Sequence, residues 1–282
     1  MSGFVGFAAS HGLIIDSLES GRWVRVPTTD HPRKRNGTYF FAGDYGHLQN
    51  WAEMTECVSW IDDREYSPVD RAALVARMAA SRKVEAANNA RKHATAAEKA
   101  AVMIAAAGRG THQYLIEKGL DEAIGLVSAD SDLLIPMRGL DGALRGVQVI
   151  RLVDNAWEKK MLFGMAARGA MFRIGQQSSE TWFVEGYATG LSVSVALKML
   201  RSNASVIVCF SAQNMVQVAS SVGGRRFIFA DNDASNAGET AAQQAGLPYC
   251  MPDESGMDAN DLHKSEGVVS VAKKIISTRK SA

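Results

Sequence analysis

The residues best placed to do chemistry are carboxylates at the ends of apolar runs. Glu185 follows Trp182-Phe183-Val184 and precedes Gly186, Asp231 and Asp233 follow Phe227-Ile228-Phe229-Ala230, and Asp258 and Asp261 lie in the stretch Gly256 to Leu262. Like charges that meet are mutually repulsive, and a divalent cation is the simplest compensation. The candidate ligands are oxygens, with no His or Cys set among them, so hard Mg²⁺ or Mn²⁺ is favoured over zinc. In Asp231-Asn232-Asp233, alternate residues of an extended segment point the same way, so both carboxylates can address one ion.

For these side chains to meet, a particular scaffold is needed, and the second half of the chain reads as one. From Thr181 onward, apolar strands (182–185, 205–210, 226–230 and 247–251) alternate with helical stretches (189–199, 214–222, 237–245 and 268–277). That alternation argues for right-handed βαβ units and a mainly parallel sheet covered on both faces, an α/β domain. In such sheets ligands bind beyond the carboxyl ends of the strands, which is where the acidic residues fall. Convergence requires the first and third of these strands to lie near each other.

The ordered combination Glu185-Gly-Tyr-Ala-Thr-Gly190, Asp231-Asn-Asp233 and Asp258-Ala-Asn-Asp261-Leu262 resembles the Toprim domain shared by bacterial-type primases, topoisomerases and some nucleases. Its wording is most similar to the Toprim primases of conjugative plasmids and phages. The likeness extends upstream to Leu133-Leu-Ile-Pro-Met-Arg138, Gly146-Val-Gln148 and Lys159-Lys160-Met-Leu-Phe163-Gly164, where the family usually has a Lys-Arg pair. It implies an α/β Toprim fold, a parallel sheet flanked by helices, with a preceding mixed α+β subdomain and a small N-terminal β-ribbon.

Four segments are expected along the chain. Residues 1–66 form the ribbon, with a hairpin signalled by Asn36-Gly37. Residues 67–110 are an Ala-rich basic linker helix, opened by Ser67-Pro68 and closed by Gly108 and Gly110. Residues 111–178 carry strands with recurring basic residues, a basic ridge, and 179–282 are the catalytic Toprim domain. The ribbon stem places His31, Arg33, Lys34 and Arg35 beside Tyr39, Phe40 and Phe41, and cations next to rings suit a single-stranded nucleic acid. The ribbon resembles the zinc-ribbon module of such primases, but the Cys ligands are missing, so no zinc is expected and packing must hold it.

The resemblance implies a primase that joins ribonucleoside triphosphates into short RNA primers on a single-stranded DNA template, in phage or plasmid replication. Glu185, Asp231 and Asp233 would be catalytic, holding two or more Mg²⁺ or Mn²⁺ ions in the general two-metal arrangement. Glu185 is either ligand or proton acceptor. Asp258 and Asp261 would hold a further ion, or Asp261 would cap the helix that follows. Lys34, Arg35, Arg138, Lys159, Lys160 and Arg168 are the expected phosphate contacts, and Tyr187, with Phe163 and Phe172, the expected stacking partners of bases. The alternatives from other classes are a Toprim nuclease, in which water replaces the attacking hydroxyl, and a non-catalytic single-stranded-DNA-binding replication protein. The sequence holds no Walker-type Gly-Lys-Ser or Gly-Lys-Thr loop, so a replicative helicase would be a separate partner.

Composition bounds these readings. With 282 residues, 46% hydrophobic and 22% charged, the chain is ordinary globular protein, and a disordered, fibrous or disulfide-scaffold class is excluded. A net charge of +1 gives no whole-molecule attraction to nucleic acid, so any attraction must be local. Cys57, Cys209 and Cys250 are too scattered for a disulfide framework. No apolar stretch approaches the roughly 18 to 20 residues of a membrane span, and the N-terminal apolar patch lacks a basic region before it, so the expected location is cytoplasmic.

Overall fold

The computed structural model describes residues 3–51, 54, 57–234 and 236–281. The ribbon and Toprim ranges given above therefore include a few positions (1–2, 52–53, 55–56, 235 and 282) that lie outside the described residues. The chain divides into two compact units, Met1–Ser81 and Arg82–Ala282.

In the first unit, helix α1 (Phe4–Ser10) is followed by strands β1 (Trp23–Val26), β2 (Gly37–Phe41), β3 (Tyr45–Asn50) and β4 (Val58–Ile61), an antiparallel sheet in sequence order. Period-two alternation sorts its side chains. The cross-strand row Val24, Tyr39, Leu48 and Val58 packs with Phe4, Ala8 and Leu13 into a small core. Contrary to the expected Asn-Gly hairpin, β1 and β2 are joined by the long loop 27–36, and Gly37 opens β2. Pro27 and Pro32 have no N–H to give a ladder, which removes the means of pairing there. The tight turn falls instead between Phe41 and Tyr45, where Gly43 has φ +87°.

Helix α2 (Pro68–Ala106) is capped by Ser67, whose Oγ accepts from the Asp70 N–H at 3.1 Å. Its early residues Leu74 and Met78 pack with Tyr45 in the first unit. Its later residues Ala96 and Ala100 belong to the second unit, where they pack on a five-stranded antiparallel sheet.

That sheet has the order β5 (Gly108–Gly110), β6 (Gly125–Val127), β7 (Leu133–Arg138), β8 (Leu144–Val153) and β9 (Ala156–Met161), with α3 (Gln113–Glu117) between β5 and β6. Leu134, Val147 and Val149 face α2, whereas Leu133, Ile135 and Ile150 join the main core. The second sheet of this unit is α/β, ordered β10-β12-β11-β13-β14. It comprises β10 (Phe172–Ile174), β11 (Glu180–Val184), β12 (Ser205–Val208), β13 (Arg225–Phe229) and β14 (Tyr249–Cys250), parallel except for β10.

Alternation again decides what covers each face. Trp182, Val184, Val206, Val208, Phe227 and Phe229 pack under α4 (Tyr187–Met199), α7 (Ala259–Glu266) and α8 (Val268–Lys280). Phe183, Ile207 and Ile228 pack under α5 (Ala212–Ser220) and α6 (Ala237–Ala245). Each Å² of apolar area these two layers remove from water stabilises the domain by about 25 cal/mol. No helix among the described residues is long and apolar enough to cross a membrane.

Candidate active site

Strand β11 pairs in parallel with β13, with Phe183 opposite Ile228, so the strands the carboxylates follow are neighbours. Glu185 leaves the end of β11 one residue before the Gly186 cap of α4, and Asp231 leaves β13 two residues after Phe229. Gly238 allows α6 to approach, since a Cβ there would lie 2.7 Å from the Asp231 carbonyl oxygen. The Asp231-Asn232-Asp233 segment is pinned by the bridge Asn232–Met257, with the Asn232 N–H donating to Met257 O at 2.9 Å and the Gly256 N–H to Asn232 O at 2.6 Å.

These placements act on how readily the acids ionise. The Asp231 carboxyl is pushed up to about 8, first by burial and then by the negative charges of Asp258, Glu185 and Asp233, with Lys159 opposing. Glu185 is also raised, by burial and by Asp233, against a backbone hydrogen bond from Ala212 and the charge of Lys159. Asp231 Oδ1 is buried and has no hydrogen-bond partner. A buried, unsatisfied carboxylate oxygen is costly unless something completes it, and a hard divalent cation fits an all-oxygen donor set. Among the described residues no three Asp, Glu, His or Cys side chains already form a coordination shell.

The other two acids have structural work. Asp258 is the N-cap of α7, accepting from the N–H groups of Asn260 at 2.6 Å and Asp261 at 2.9 Å, while Asp261 Oδ2 accepts from the Asp258 N–H at 3.2 Å, a capping box. The cap of the helix is thus Asp258, with Asp261 as its reciprocal partner. Asp258 also accepts from Thr189 Oγ1 at 3.1 Å, which ties α7 to the first turn of α4, and Asp261 faces Lys118 at 3.9 Å.

Of the expected cations, the two adjacent lysines part company. Lys159 is opposite Ile150, on the core-facing side of the sheet, and its Nζ sits 5.6 Å from the ring centre of Tyr114. Lys160 is opposite Val149 on the α2 side and pairs with Glu158 at 2.7 Å. Arg138 donates to Gly142 O at 3.0 Å and Arg168 to Gln217 Oε1 at 3.2 Å, both exposed. Tyr187 is 7% exposed and packs edge-on against Phe172, and burial pushes its hydroxyl up to about 12. As placed, it is a wall of the core and not an open stacking surface.

In the first unit, Lys34 and Arg35 are exposed in the loop before β2. The rings expected beside them are largely core: Tyr39 is fully buried, its hydroxyl donating to Ser17 O at 3.2 Å and accepting from the Glu19 N–H at 2.9 Å. The exposed aromatics are Trp23 and Trp51, with Arg25 lying 5.3 Å from the Trp51 ring centre.

Three contributors were not singled out in the sequence. Tyr114, whose hydroxyl is buried without a partner, carries no local signal. Thr189 and Asn260 stand inside the quoted motifs. Asn260, 0% exposed, donates to Lys118 O at 2.8 Å and Ser192 Oγ at 3.1 Å and so joins α7 to α4.

This sheet, with acids at the carboxyl rim of adjacent parallel strands, is of a recognised class: residues 181–268 match the family model of the Toprim domain, and the chain carries such a domain there. Among solved structures, the chain is similar to the RNA polymerase domain of Mycobacterium tuberculosis primase DnaG, at 17% identity over 52% of this chain and 55% of that one, TM-score 0.35. It is also similar to a DnaG catalytic core, at 16% identity over 60% of this chain and 59% of that one, TM-score 0.37. The chain thus spans little more than half the length of these structures. No curated protein matches the sequence.

Proposed function

We propose that the protein is a primase, transferring nucleotides from ribonucleoside triphosphates to a growing RNA primer on single-stranded DNA, in phage or plasmid replication. The observation that carries this reading is the buried, unpartnered Asp231 Oδ1 beside Glu185 and Asp233 at the rim of a Toprim sheet. Asp231 and Asp233 would hold the cation. When bound, Mg²⁺ or Mn²⁺ supplies charge neutralisation of the triphosphate and acidifies the attacking 3′-hydroxyl. Glu185, whose pKa is raised first by burial, is a stronger proton acceptor than an ordinary carboxylate and suits taking the proton of that hydroxyl. Lys159, on the side of its strand that faces the core and close enough to oppose both acids, is the cation best placed for the triphosphate. Asp258 and Asp261 shape the rim through the capping box, while Lys34, Arg35, Arg138 and Arg168, all exposed, are available to a template backbone.

The test is an incubation of protein with single-stranded template, labelled ribonucleotides and Mn²⁺ or Mg²⁺. Template-dependent extension, lost in Glu185→Gln and Asp231→Asn, supports the proposal. Degradation of the template identifies a nuclease, and a mobility shift without either product identifies a binding protein.

A further inference from the structure

Phe163 is 93% exposed, the most exposed large hydrophobic side chain among the described residues. It does not sit on a loose loop. The preceding Leu162 donates its N–H to Val147 O at 3.0 Å and packs beside Ala96 and Ala100, and the following Met165 is buried and donates back to Leu162 O at 3.3 Å. Between them Gly164, at φ +81°, lies against Lys92 of α2, where a Cβ would be 3.7 Å from the Lys92 carbonyl oxygen. The fold therefore fixes a tight turn between the partly buried Leu162 and the buried Met165 and holds one aromatic ring in solvent, although burying it would be favourable. Two lysines stand close by in the chain and the fold: Lys92, whose backbone and Cβ lie against Gly164, and Lys160, three residues before the ring on the α2 side of the sheet. The Lys160–Glu158 pair is exposed, the kind of ion pair that yields readily to a phosphate.

We infer that Phe163 is a base-stacking residue for single-stranded nucleic acid, with Lys92 and Lys160 holding the phosphates on either side of the stacked base. A rigidly presented ring flanked by cations is the arrangement that binds single strands without reading their sequence. This also gives Lys160 a role of its own, on a track for the strand outside the carboxylate site. The inference rests on the reading that the chain handles a single-stranded template.

The test measures affinity for an oligothymidylate and for an abasic oligonucleotide of equal length, without metal or nucleotide. Wild type is compared with Phe163→Ala, Phe163→Trp and Lys92→Gln. Because the ring contacts almost nothing, all variants should melt like wild type. Phe163→Ala should weaken binding of the oligothymidylate about 5- to 100-fold and leave the abasic strand unchanged, with Phe163→Trp retaining affinity. Lys92→Gln should weaken both strands and lower the salt dependence. Unchanged oligothymidylate binding by Phe163→Ala, or equal weakening for both strands, overturns the stacking role while leaving the primase reading intact. Failure of wild type to bind either strand overturns both.

Discussion

Gly238, in the first turn of α6, lies so close to Asp231 that a methyl group on its α-carbon would come within 2.7 Å of the Asp231 carbonyl oxygen and 3.0 Å of its nitrogen. Both atoms are backbone, so neither can swing aside. Gly238→Ala must displace either the helix or the acidic segment. A cost of about 1–3 kcal/mol in stability is expected from overpacking, together with weaker stabilisation by Mn²⁺. Thermal melts with and without the cation check this.

The raised pKa of Asp231 makes a signed prediction. Its folded value of about 8 lies above its ordinary 3.8, so the folded metal-free protein holds a proton that the unfolded chain releases. The group's contribution is therefore neutral below about pH 4 and increasingly unfavourable as pH rises toward 8. Asp231→Asn should remove this slope, leaving the metal-free variant more stable than wild type at pH 8 and no different at pH 3.5. Urea midpoints across pH measure it. Because a cation requires the deprotonated carboxylate, its stabilising effect on wild type should grow over the same interval.

Lys159 and Lys160 should separate in kinetics. With template saturating, Lys159→Gln should lower kcat/KM for the incoming nucleotide by about tenfold or more, the scale of one charge-assisted contact. Lys160→Gln should change it by less than about twofold, since its side of the strand faces α2. Steady-state primer synthesis distinguishes them.

Asp258 should behave as a structural acid. Asp258→Ala removes the cap of α7 and the link to Thr189, so a loss of about 1–2 kcal/mol is expected in chemical denaturation.

Much of this arrangement is legible in the sequence, because strand-end carboxylates and apolar alternation are local patterns. The helix over 237–245 and the strand ending before Asp231 are read almost to the residue. What escapes depends on partners distant in the chain. The antiparallel edge β10 is a three-residue strand whose direction is set only by pairing with β12. Tyr39 looks solvent-facing in a basic ribbon until cross-strand register places it with Leu48 and Phe4 in the core. The difference between Lys159 and Lys160 likewise comes from which face of β8 each opposes. The helix α7 is hidden because Asp258-Ala-Asn-Asp261 reads first as a ligand set, whereas its capping hydrogen bonds, with Asp258 and not Asp261 as the N-cap, show only in the folded chain.

A titration of Mn²⁺ followed by electron paramagnetic resonance at pH 8, on wild type, Asp231→Asn and Glu185→Gln, addresses the meeting of these carboxylates most directly. Bound Mn²⁺ in wild type, weakened about tenfold or more in Asp231→Asn, is the expected result. Equal binding by wild type and Asp231→Asn, or none by wild type, would contradict a cation site at the rim of β11 and β13.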